Sequence, residues 1–96
     1  MSTHPRILVT GAAVRVGRAT ALALAERGHD LILTFHSSGE ECRRTAELCR
    51  EVAPRSIDVR VLELHLESER SVLDVCDEIL SIGIDGVVHN LSLIHI

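Results

Sequence analysis

The chain contains no tyrosine and no lysine; all ten of its basic residues are arginine. A mechanism that needs a tyrosine hydroxyl or a lysine amine is therefore beyond this chain alone. Cysteine is sparse, and Cys42, Cys49 and Cys76 form neither a CxxC pair nor an even framework. That excludes a disulfide scaffold and fits a reducing compartment, hence a cytoplasmic protein. No apolar run approaches the roughly 20 residues of a membrane span. The polar lead-in Met1 to Arg6 carries no secretory pattern. Positive charge is short as well: the formal net charge is −4 and no basic cluster offsets it, which argues against a nucleic-acid face. Repeats, linkers and low-complexity tracts are absent from the 96 residues, of which 46% are hydrophobic, enough for one small core.

What is present is organised around Ile7-Leu8-Val9-Thr10-Gly11-Ala12-Ala13-Val14-Arg15-Val16-Gly17-Arg18. A buried apolar strand ends in Thr-Gly, a turn of small residues follows, and an alanine-rich helical pattern begins. Helix N-termini carry unpaired N–H groups and about +0.5 of a charge, so such a turn suits a pyrophosphate. Glycine keeps the turn tight and lets a ligand approach, because it has no Cβ. The turn is not a P-loop, since Val16 stands where that motif needs glycine and no Lys-Ser/Thr follows; an NTPase is disfavoured.

The remaining chain alternates strands and helices. Strand one covers Arg6 to Thr10. Helix one covers Val16 to Arg27, with Ala19, Ala23 and Ala25 allowing a close approach to a sheet, and Gly28 stops it. Strand two is Leu31 to Phe35, apolar enough to be buried on both faces of a parallel sheet. Ser38 and Glu41 read as a capping box opening a helix that runs to about Val52. Its apolar stripe is Cys42, Thr45, Ala46, Cys49, Val52 and Ala53, where the cysteines act as small hydrophobes. Strand three, Ile57 to Leu66, alternates as a half-exposed edge strand does. Ser68 caps helix three, Glu69 to Ser81, and Gly83 ends it. Strand four is Gly86 to His89, with Val87 and Val88 reading as buried. The prediction is an α/β fold: the N-terminal portion of a Rossmann-type doubly wound parallel sheet, βαβαβαβ, with strand order 3-2-1-4. A buried-looking edge at strand four implies further sheet beyond it, so the domain is incomplete.

A ligand is expected across the carboxyl ends of strands one, two and four. Gly11, Arg15, Val16 and Gly17 form the floor under a pyrophosphate. About 20 residues on, at the end of strand two, an acid would select a free ribose 2′-hydroxyl. The chain has Phe35-His36-Ser37-Ser38 there, with no acid. Hydroxyls and imidazole can bond a 2′-phosphate and Arg15 can pair with it, so NADP is favoured over NAD, although capping alone would also explain Ser37 and Ser38. His4 and His29 read as surface residues, and no metal site is expected.

These residues resemble the short-chain dehydrogenase/reductase family, whose turn is Thr-Gly-x-x-x-Gly-x-Gly. Thr10, Gly11 and Gly17 match, and Arg15 takes the place of the middle glycine. That exchange is similar to the pteridine reductase branch, with its Thr-Gly-Ala-Ala-x-Arg-x-Gly turn and its His-Arg-Ser after strand two, although His36-Ser37-Ser38 lacks the arginine. His89-Asn90 looks like the pair that ends strand four in the family, which implies that Asn90 flanks the cofactor. Where the family has Asp-Leu or Asp-Val beside the adenine, this chain has His65-Leu66. The resemblance covers residues 6 to 90. It implies that the catalytic Ser and Tyr-x-x-x-Lys lie beyond residue 90, so no catalytic residue is assigned here, and that the whole protein is more than twice as long, takes a small-molecule substrate and is a homo-oligomer; the charge balance and the lack of a long apolar run give the expectation of no nucleic-acid and no membrane partner.

Residues 1–90 thus read as part of an NAD(P)-binding domain. Residues 91–96, Leu-Ser-Leu-Ile-His-Ile, read as a non-native tail. The hexapeptide is the translation of CTG-TCT-CTT-ATA-CAC-ATC, the end of a transposase adapter used in sequencing libraries. The expected function is the cofactor-binding, catalytically silent piece of an NADP-dependent reductase of a carbonyl or pteridine C=N bond. The alternatives are a piece of a 3-oxoacyl-carrier-protein reductase and a non-catalytic nucleotide-binding regulatory module. The isolated chain is expected to aggregate through its strand-four edge and bare helix faces.

Overall fold

Among the described residues, short apolar runs build four parallel strands, and a helix follows each of the first three. The computed structural model describes residues 4–12, 15–65 and 67–88. In chain order the elements are β1 (Arg6–Val9), α1 (Arg15–Glu26), β2 (Asp30–Phe35), α2 (Gly39–Val52), β3 (Val59–Glu63), α3 (Glu69–Ile82) and β4 (Gly86–Val88). The strands lie in the order β3-β2-β1-β4, the expected 3-2-1-4. Leu8 pairs with Ile32 on one side and Val87 on the other, and Ile32 pairs with Arg60.

The register separates two faces. Val9, Leu31, Leu33 and Val59 share one face with the buried Ala21 and Ala25 of α1 and Cys42, Ala46 and Cys49 of α2. Right-handed crossovers put α3 on the other face, the one that carries Leu8 and Ile32. Leu31 to Thr34 are all buried, as a strand covered on both sides must be.

Several sequence expectations are corrected here. Ala19 and Ala23 are exposed; the small face of α1 is Gly17, Ala21 and Ala25, spaced four apart so that they stack on one side of the helix. Val52 is 41% exposed and lies off the α2 stripe. β1 and β3 are shorter than predicted. Thr10 has already turned, its N–H donating to the Val88 carbonyl at 3.0 Å, while Leu64, beyond β3, still donates to the Phe35 carbonyl at 2.7 Å. Val87 is 56% exposed rather than buried, because it shares the α3 face of the outer strand and no described residue covers it. α3 itself has a single buried residue, Val75.

The amino ends of the strands are tied by charge. Arg6 donates through Nη2 to Asp58 Oδ2 (3.1 Å) and through Nη1 to the Ile82 carbonyl (3.1 Å). Asp30 Oδ1 accepts from Arg55 Nη2 at 3.0 Å and from the Asp58 N–H at 2.9 Å. This latch lies at the end of the sheet opposite the glycine turn.

Candidate functional site

The glycine turn after β1 is shaped by one close approach. A Cβ on Gly17 would stand 1.8 Å from the Gly11 carbonyl oxygen, so no other residue fits there. Gly11 has φ 65°, the left-handed region that glycine enters without strain. Ala12 donates its N–H to the Thr34 carbonyl at 3.2 Å, fastening the turn to β2. Arg15 opens α1 with φ 55°, the only non-glycine residue with a positive φ among those described. A glycine-favouring conformation is therefore held by an exposed cation. Val16 is 56% exposed beside it.

The N-terminus of α1 differs from the other two. α2 has Glu40 and Glu41 in its first turn and α3 has Glu69, whereas α1 has no acid there. Its unpaired N–H groups and positive dipole end are not offset by a carboxylate of its own, which suits an anion supplied from outside. The missing Cβ at Gly17, the bare first turn and Arg15 together fit the pyrophosphate of a dinucleotide.

At the end of β2, His36, Ser37 and Ser38 are all exposed. The predicted capping box is absent. Ser38 makes no side-chain cap; its backbone carbonyl accepts from the Cys42 N–H at 2.9 Å. Glu41 turns instead to Arg18, whose Nη2 reaches Oε2 at 3.1 Å while Arg18 Nε donates to Thr45 Oγ1 at 2.9 Å. The ion pair competes for the carboxylate the box would need, and it bolts α1 to α2. Ser68, by contrast, caps α3 as predicted, its Oγ accepting from the Ser71 N–H at 3.2 Å.

Across the strand ends, His36 meets His65 edge to face, with ring centroids 4.5 Å apart. Glu67 joins them: its Oε2 lies 3.1 Å from His36 Nε2 and 3.4 Å from His65 Nδ1. Glu63 Oε2 bonds the other ring nitrogen of His65. His65 donates its backbone N–H to Ser71 Oγ at 2.9 Å. The hydrogen bond to Glu63, followed by the nearby charges of Glu63 and Glu67, raises the His65 pKa above its ordinary 6.5. A backbone hydrogen bond, with His36 next, holds the Glu67 carboxyl below its ordinary 4.5.

The structure thus brings Gly11, Arg15, Val16 and Gly17 into one turn and draws His36 and His65 together. Leu66 and Asn90 lie outside the described residues, as does the 91–96 segment. Sequence reasoning missed Glu67, whose partner His36 is about thirty positions away, and Glu63, whose pairing with His65 two residues on forms no recognised motif. Cys42 and Cys49 are buried as expected, and burial pushes both thiols up to about 11. His29 is half-buried, with its Nδ1 enclosed, rather than a plain surface residue. No helix among the described residues is long and apolar enough to cross a membrane.

Comparison with known proteins agrees with this geometry. The KR domain family model matches residues 6–95. The chain is 36% identical over 89 residues to the 3-oxoacyl-acyl-carrier-protein reductase FabG of Aquifex aeolicus (strain VF5), an alignment covering 90% of this chain and 34% of that protein. Among solved structures it is similar to acetoin dehydrogenase from Enterobacter cloacae, with TM-score 0.80, 26% identity, and 94% of this chain on 35% of that one. It is similar too to a short-chain dehydrogenase from Sphingobium yanoikuyae in complex with NADPH, with TM-score 0.69, 27% identity, and 78% of this chain on 28% of that one. The chain spans about a third of the length of the curated relative it matches. With a family model covering nearly all of it, on a sheet ordered 3-2-1-4 behind a glycine turn, the chain belongs to the KR-domain family of short-chain dehydrogenases/reductases.

Proposed function

We propose that this chain is the cofactor-binding part of an NADP-dependent oxidoreductase that reduces a carbonyl or a pteridine C=N bond. The observation that carries the reading is the start of α1: an acid-free first turn behind Gly17, with the Arg15 cation fixed at its entrance. Gly11, Arg15, Val16 and Gly17 would hold the pyrophosphate, His36, Ser37 and Ser38 the adenosine ribose with its 2′-phosphate, and His65 and Leu66 the adenine edge. Asn90 would flank the nicotinamide end. Bound NADPH supplies a hydride; this chain's residues bind and orient it. With no tyrosine and no lysine, proton delivery to the substrate falls to residues outside this sequence, and the chain alone is catalytically silent. The whole protein is a cytoplasmic homo-oligomer acting on a small molecule.

Two observations favour neighbouring readings. The likeness to a 3-oxoacyl-acyl-carrier-protein reductase supports that substrate class as the alternative. Glu67, brought to His36 by the fold, is an acid at the ribose end that the sequence order of β2 conceals, and it supports NAD, since a carboxylate accepts from a 2′-hydroxyl and repels a 2′-phosphate. A regulatory nucleotide-binding module is the non-catalytic alternative.

Titration of the chain with NADP⁺ and NAD⁺ decides among these. Arg15→Gly is expected to relieve the left-handed strain, raising stability by about 1 kcal/mol. The same change is expected to weaken NADP⁺ about tenfold, about 1.4 kcal/mol, and NAD⁺ less. Equal losses for both cofactors would remove Arg15 from 2′-phosphate recognition. Tighter NAD⁺ binding, reversed by Glu67→Gln, would replace NADP by NAD. Carbonyl reduction by the longer protein, lost on replacing a Tyr-x-x-x-Lys tyrosine, separates the enzyme from the regulatory module.

A further inference from the structure

We propose that His36, His65 and Glu67 form a binding site for a divalent transition-metal ion of the zinc type. Each residue offers one ligand atom, and these atoms all lie within 4.8 Å of one another. They come from two separate segments, the turn after β2 and the turn after β3, which parallel pairing of the strands sets side by side.

The distances are those of a coordination shell. Zinc sits about 2.0–2.2 Å from imidazole nitrogen and carboxylate oxygen, so two ligands of one ion stand roughly 2.9–3.4 Å apart for angles between octahedral and tetrahedral. The Glu67 oxygen is 3.1 Å from His36 Nε2 and 3.4 Å from His65 Nδ1. Two edges of the shell therefore already have their length. The remaining edge, between the imidazoles, closes by rotation of the exposed His36 ring.

The surroundings complete the arrangement. His65 offers Nδ1 to the ion while its Nε2 is held by Glu63. A carboxylate on the far nitrogen of a ligating histidine fixes the tautomer and ring direction and makes the metal-facing nitrogen more basic. With hydrogen on Nε2, the Nδ1 lone pair is free for the ion. Two carboxylates, Glu63 and Glu67, balance a double positive charge. Two nitrogens and one oxygen suit zinc and its transition-metal neighbours, whereas magnesium and calcium take oxygen ligands. The side chains face solvent, so water fills the remaining coordination positions.

The test is calorimetric titration of the full chain with Zn²⁺ alone, in the absence of nucleotide, together with the visible absorption spectrum of the Co²⁺-loaded chain. Failure here leaves the nucleotide reading standing, and the reverse. One ion per chain is expected. His36→Ala, His65→Ala and Glu67→Gln should each weaken Zn²⁺ by more than Glu63→Gln, which should cost about 10–100-fold. Cys76→Ser, removing the exposed thiol, should bind as the wild type does. The three ligand residues are exposed or half-exposed, and the fold of each variant is to be checked by circular dichroism. Absence of uptake by the wild type, unchanged affinity in the His36, His65 and Glu67 variants, or loss of binding in Cys76→Ser would each overturn the site.

Discussion

Gly17 carries the tightest constraint of the glycines Gly17, Gly28, Gly39, Gly83 and Gly86. The atom a new Cβ would strike is the Gly11 backbone oxygen, which has no side-chain freedom with which to give way. Gly17→Ala should cost about 3 kcal/mol, the upper part of the overpacking range, read as a lower urea midpoint. The histidine cluster sets a pH dependence at the same scale. The folded pKa of His65 is raised, so its contribution to stability is full below the unfolded value of about 6.5 and is lost as pH rises through the raised one. The folded pKa of Glu67 is lowered, so its contribution is present above about 4.5 and is lost as pH falls through the lowered one. The pair stabilises most between those values. His65→Gln should abolish the decline above pH 6.5 in a series of urea midpoints; an unchanged decline would place its origin elsewhere.

Among the elements, the two serine caps make a paired experiment. Ser68 accepts from the Ser71 N–H and Ser38 accepts from none through its side chain. Ser68→Ala should therefore cost about 1 kcal/mol and Ser38→Ala only a few tenths, measured by thermal or urea unfolding. Both serines look alike in sequence, each a helix-opening serine ahead of acidic residues. What separates them is the backbone at the cap, extended at Ser68 with ψ 113° but not at Ser38 with ψ 57°, and Arg18, one element away, holds the glutamate that would have completed a box. The α1 face teaches the same lesson: alanines were visible as a small-residue pattern, but only docking on the sheet selects Gly17, Ala21 and Ala25 over Ala19 and Ala23. Element order, strand order and the β1 turn were legible, because apolar run length, glycine stops and crossover handedness are local or nearly local signals.

Across the whole molecule, one face of the sheet is well covered, and the other is covered over β2 but open at β4. α1 and α2 seal the first face. On the second, Leu73 is 55% exposed, Leu80 81% and Val87 56%. Bare apolar side chains on α3 and β4, and an outer strand that has no further partner strand among the described residues, favour association. The chain should self-associate in light scattering, and Leu80→Glu with Val87→Lys should shift it toward monomer. A wild-type chain that stays monomeric would show that this face is quiet.

The sequence by itself determined the alternating strands and helices, their order in the sheet and the turn that opens α1, because each is written in neighbouring residues: apolar runs, stop glycines and a Thr-Gly ahead of a helix. The tertiary structure alone decided that Arg15 adopts a left-handed conformation, that Glu41 serves an ion pair instead of a cap, and that His36, His65, Glu67 and Glu63 form one cluster. The cluster needs β2 and β3 laid parallel in one register, so that turns about thirty residues apart meet. No spacing along the chain encodes that meeting; strand pairing creates it.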